Sequence, residues 1–88
     1  MVYRKNRELV EEEVEGFKLL YDNDKGENHF LNETAGLIWE LLPDQFEDLS
    51  EYREGFISRF SAEVERAVLE NDFDECMDRF VKGGLVYV

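Results

Sequence analysis

Between residues 17 and 22 Phe17, Leu19 and Tyr21 alternate with Lys18, Leu20 and Asp22, a period of two that lets one face of an extended segment be buried. Turn signals stand on either side, Glu15-Gly16 before and Asn23-Asp24-Lys25-Gly26 after, each with a glycine able to take positive φ. The pattern predicts three antiparallel strands near residues 8–14, 16–22 and 27–32. The first suits an exposed strand or a loop equally well, because it carries Glu11-Glu12-Glu13.

At Asn32 the period changes. Asn32 is a good helix N-cap, and Glu33 puts negative charge at the positive end of the helix dipole. Beyond it Ala35, Ile38, Leu41 and Leu42 recur at helical spacing with Trp39 on the flank, until Pro43 disfavours helical geometry at Leu42. A second helix is predicted over Leu49 to Phe60, where Asp48 and Glu51 resemble a capping box and Leu49, Tyr52, Phe56 and Phe60 form an apolar stripe. A third starts near Ser61 to Val64, with a stripe of Leu69, Phe73, Cys76, Met77 and Phe80 and a Gly83-Gly84 pair for its end. Leu85 to Val88 reads as a short final strand or a tail on the core. Strands first and helices after make an α+β domain, a three-stranded antiparallel sheet followed by three helices.

The 88 residues suit one domain, residues 1–88, with residues 1–7 as a basic N-terminal tail. Apolar residues make up 43%, enough bulk to fold without a metal or disulfide. The net charge is −12, and residues 8–88 carry 7 basic against 22 acidic side chains, a net of −15. Such a field repels phosphate, so neither nucleic acid nor an anionic membrane is the expected partner. With Cys76 alone and no signal-like or membrane-spanning apolar stretch, the cytoplasm is the expected location.

Candidate chemistry is sparse. Asp22-Asn23-Asp24-Lys25-Gly26 begins like a calcium loop, but its glycine is one place early and its flanks read as strands, so a hairpin turn is expected. His29 and Cys76 are single representatives of their kinds, too few for a zinc site, and each is expected to be a packing residue. No phosphate cradle, nucleophile elbow or acid–base constellation stands out. The chain therefore reads as non-catalytic, without metal or cofactor. The third strand, Glu27-Asn28-His29-Phe30-Leu31, would lie at a sheet edge, and if His29 and Leu31 face the core then Phe30 faces away. Either the C-terminal tail or a helix covers that edge, or it is open to a partner.

The piece Leu31-Asn32-Glu33-Thr34-Ala35-Gly36-Leu37-Ile38-Trp39-Glu40-Leu41-Leu42 resembles the signature of the PqqD family, small peptide chaperones and leader-recognition domains of ribosomal-peptide modification. Leu69, Asp72-Phe73, Cys76-Met77, Phe80 and Gly84-Leu85-Val86 match its closing pattern, while the Pro43 to Asp48 link and the Gly83-Gly84 pair depart from it. The resemblance implies a winged helix-turn-helix-like domain whose third strand accepts a precursor's leader peptide as an added strand and presents it to a modifying enzyme, a radical SAM maturase if the likeness is close. On that basis Asn28, His29, Phe30 and Leu31 would form the pairing edge, Leu69, Phe73 and Met77 the apolar wall, and Arg66, Glu70 and Asp74 the polar rim. The alternatives are a winged-helix DNA-binding regulator and a structural subunit of a partner enzyme.

Overall fold

The computed structural model describes all 88 residues. In chain order the elements are β1 (Tyr3–Lys5), β2 (Leu9–Val14), β3 (Phe17–Asp22), β4 (Glu27–Leu31), α1 (Glu33–Leu41), β5 (Gln45–Phe46), α2 (Leu49–Phe60), α3 (Arg66–Lys82) and β6 (Val86–Tyr87). The expected meander forms, in the order β2-β3-β4, with Leu20 opposite His29 and Lys18 opposite Leu31. A second antiparallel sheet accompanies it, in the order β5-β1-β6. The expectation of a single sheet is corrected accordingly: residues 3–5 form the middle strand of this second sheet, with Tyr3 opposite Phe46 and Arg4 opposite Tyr87.

The turns follow from local chemistry. Glu15 and Gly16 both take positive φ, 52° and 85°, the geometry that matches the twist of a two-residue hairpin. At the next turn Asp22 Oδ1 accepts the N–H groups of Asp24 at 3.0 Å and Lys25 at 3.2 Å. This carboxylate is fully buried and organises its own hairpin. No three His, Cys, Asp or Glu side chains converge to hold a metal ion.

Asn32 caps α1, its Oδ1 accepting the Ala35 N–H at 2.8 Å, and Leu42 is extended at φ −81°, ψ 128° ahead of Pro43. Asp48 caps α2 by accepting from the Ser50 N–H at 3.1 Å. α3 begins at Arg66, later than the spacing predicts, because the Phe60 carbonyl accepts from both Glu63 and Val64 and the Ser61 hydroxyl donates back to the Ser58 carbonyl. The helix ends in a Schellman turn: the Leu85 N–H donates to the Phe80 carbonyl at 2.9 Å, the Gly84 N–H to Val81 at 3.2 Å, and Gly84 takes φ +74°.

The core lies between the meander and the helices. Leu20 of β3, Ile38 and Trp39 of α1, Phe56 of α2 and Phe73 and Phe80 of α3 are at most 2% exposed. The Trp39 and Phe80 rings meet edge to face at 5.3 Å, and Lys5 Nζ sits 4.3 Å from the centre of the Trp39 ring. Burial there pushes the Lys5 amine below its usual range. No helix is long and apolar enough to cross a membrane.

Candidate functional site

β4 pairs with β3 on one side and with nothing on the other. The C-terminal segment is engaged elsewhere, as β6 pairs with β1. Outside the meander, residues 27–31 make no backbone hydrogen bond. In an antiparallel pair alternate residues turn their N–H and C=O groups outward, so β4 presents a run of vacant donors and acceptors. Leu31 is 7% exposed and His29 is half-buried, whereas Phe30 between them is 61% exposed and meets Phe17 at a tilt of 41° with ring centres 5.4 Å apart. The alternation thus falls as the sequence predicts.

Beside this edge runs a groove of about 290 Å³. Asn28 to Leu31 form one wall, Asn32 and Ala35 of α1 close one end, and Cys76, Arg79 and Phe80 of α3, with Leu85, form the other wall and floor. His29 of β4 comes close to the C-cap of α3, where residue 83 is a glycine. A Cβ there would lie 3.1 Å from the Arg79 carbonyl oxygen and 3.4 Å from His29 Cε1. His29 Nε2 is buried, lies 3.6 Å from a Glu27 carboxylate oxygen and makes no hydrogen bond. Burial pushes the Cys76 thiol up to about 11, which the Arg79 charge opposes and the Asp72 charge reinforces.

Of the residues singled out in the sequence, the structure brings Asn28, His29, Phe30 and Leu31 to the groove and places the α3 group elsewhere. Leu69, Phe73 and Met77 are buried at 3%, 0% and 6% exposure, and Phe73 packs on Phe56 at 5.9 Å. They are core. Arg66, Glu70 and Asp74 lie on the face toward α2, where Arg53 grips Asp74 through two hydrogen bonds of 2.9 Å and reaches Glu70 at 3.3 Å, and Arg66 pairs with Glu54. The fork-to-carboxylate contact holds the Asp74 carboxyl below the usual range. These three residues join helix to helix and do not border the groove. The helix contributes its C-terminal half instead. Cys76 and Phe80 stood in the apolar stripe but could not be told from core by spacing, and Arg79 followed no periodic signal. The Gly83-Gly84-Leu85 turn, which returns the chain beneath β4, was the available clue.

The meander has a second open edge, β2, but it is guarded. Glu11, Glu12 and Glu13 follow one another along it, and Glu11 is engaged by the Trp39 indole N–H. Consecutive charges on an edge strand oppose pairing, whereas β4 carries a single charged residue, Glu27, at its start. The two rims are therefore unequal: the hollows beside β2 are lined by Glu11 and Glu13, whereas the groove beside β4 adjoins its uncharged stretch.

The family model described as coenzyme PQQ synthesis protein D (PqqD) matches residues 18–86. Among solved structures the chain is similar to TbiB1 in complex with the TbiA(beta) leader peptide, with 17% identity, coverage of 97% of this chain and 98% of that chain, and a TM-score of 0.76. No curated protein matches it.

Proposed function

The chain belongs to the PqqD family, and on that premise we propose that it is a recognition element that captures the leader of a ribosomally made precursor peptide by strand addition and presents it to a separate modifying enzyme. The vacant β4 edge beside a ready-made groove carries this reading. An added strand satisfies the outward main-chain groups whatever its sequence, and its alternate side chains enter the groove and select the guest. The solved relative, TbiB1, holds a leader peptide in its complex, and its fold covers nearly the whole of this chain.

Asn28 to Leu31 supply the pairing edge, and Ala35, Cys76, Phe80 and Leu85 receive the guest's apolar side chains. Main-chain bonds worth about 0.5–1.5 kcal/mol each, with one or two small apolar anchors, give reversible capture. That suits a carrier that hands its cargo on and supplies no chemistry of its own. The DNA-regulator alternative is not favoured, since phosphate binding needs condensed positive charge and the chain has a net of −12.

The test is amide chemical-shift mapping while adding leader peptides. Perturbations should concentrate at residues 27–32 and 76–85. Shifts on β2 or on the α2-facing side of α3, with β4 silent, would overturn the assignment.

A further inference from the structure

The arginines of the helices divide unequally. Arg53 and Arg66 are bound to carboxylates across the α2–α3 interface, and Arg59 lies over the Phe60 ring. Arg79 has no carboxylate within ion-pairing distance, although the chain holds 22 acidic residues. Asp72 and Glu75 line a shallow hollow with it, yet neither closes on its guanidinium, and the adjacent Asp78 is taken by Lys82 at 2.8 Å. Arg79 borders both this hollow and the groove beside β4, where Cys76, Phe80 and Leu85 are otherwise apolar and buried. Its place in the last turn of α3 suits the helix dipole, but that role does not require it to lie on the groove.

We infer that Arg79 is the specificity residue of the groove and that it selects a guest carrying an Asp or Glu side chain at one groove-facing position. The inference rests on the strand-addition reading and sharpens it. In an added strand, side chains that enter the groove recur every second residue, so the acid stands two residues from the apolar side chain seated over Cys76 and Phe80. A guanidinium fork binds a carboxylate through two parallel hydrogen bonds, which fixes register as well as affinity. Register matters here because main-chain pairing alone would accept a strand slipped by two residues. The domain's negative field disfavours acidic guests generally, so the expected guest is not acidic throughout but bears one acid at a defined place.

Selection from a random peptide display library, run in parallel on the wild-type chain and on Arg79→Glu, tests this. The wild type should enrich peptides with Asp or Glu two residues from an apolar position, and Arg79→Glu should replace that acid with Lys or Arg at the same position. For one selected peptide, changing its Glu to Gln should weaken binding to the wild type about tenfold, the scale of one charged hydrogen bond, and should leave binding to Arg79→Ala unchanged. Groove binders without a fixed acid, or an acid preference that persists in Arg79→Glu, would overturn the role of Arg79 and leave strand addition standing. A wild-type selection that yields no binder contacting β4 would overturn both.

Discussion

The side-chain amide of Asn6 donates to the fully buried carboxylate of Asp22 at 3.1 Å, joining the end of β1 to the end of β3 across 16 residues of sequence. The same nitrogen donates to the Gly84 carbonyl at 3.1 Å, the Asn6 oxygen accepts from the Glu8 N–H at 2.9 Å, and the Asn6 backbone N–H reaches the Leu85 carbonyl at 2.9 Å. One residue thereby pins both sheets and the end of α3. Asn6→Ala should lower stability by about 1–3 kcal/mol, the cost of stranding buried polar partners, as read from urea denaturation. Asn6→Asp should cost more, because it sets a second carboxylate against Asp22.

Vacant main-chain groups on β4 make a prediction about the guest's backbone. N-methylation at successive positions of a bound peptide should alternate in effect: about tenfold or more loss where the amide faces β4, from a lost bond plus a steric clash, and little where it faces solvent. Isothermal titration of a singly methylated series reads this out. A uniform response would exclude strand addition.

Core and groove should separate by mutation. Phe73→Leu is expected to cost about 1–3 kcal/mol of stability, yet to leave peptide affinity of the folded protein within about twofold, since Phe73 is 0% exposed and borders no part of the groove. Ala35→Phe should do the reverse. Its side chain would fill the space between β4 and α3, abolishing binding while the melting temperature holds.

Cys76 offers a chemical reporter. With the thiol raised to about 11 from a usual 9.0, its thiolate fraction near pH 8 is about a hundredfold below that of a free thiol. Alkylation should be correspondingly slow, and slower again with peptide bound, since Cys76 lines the groove. The folded state favours the neutral form, so Cys76's contribution to stability is complete below about pH 9 and is lost as pH rises toward 11. A denaturation series in this range, compared with Cys76→Ala, checks the sign.

How much of this was legible in the sequence depends on the length over which a signal repeats. β3 was located by its alternation and bounded by Gly16 and Gly26, although the face it buries carries Lys18, Leu20 and Asp22 while Phe17 and Tyr21 stay exposed, and α1 and α2 were marked by the capping side chains of Asn32 and Asp48. β6 falls within the Leu85 to Val88 stretch read as a short final strand or a tail, but β1 and β5 are two or three residues long, too short for any period, and exist because distant segments pair, as Arg4 does with both Gln45 and Tyr87. At the site, β4 could be read as an exposed rim from the isolation of Phe30 between His29 and Leu31. The partner wall could not. An apolar stripe on a 17-residue helix serves the core at Phe73 and the groove at Cys76 alike, and only the placing of β4 beside the last turns decides which is which. Arg66, Glu70 and Asp74 share a helix face, but nothing in their spacing revealed that Arg53 of α2 would claim it.

Unequal rims also govern what these molecules do to one another when concentrated. A fibre built by extending the meander head to tail joins β2 of one molecule to β4 of the next, a junction that never closes on itself. Each junction would drive the Glu11-Glu12-Glu13 run of one molecule onto a neighbour that is itself strongly acidic. Repulsion therefore accumulates with every added subunit, and crowding does not consume the free seam in polymer.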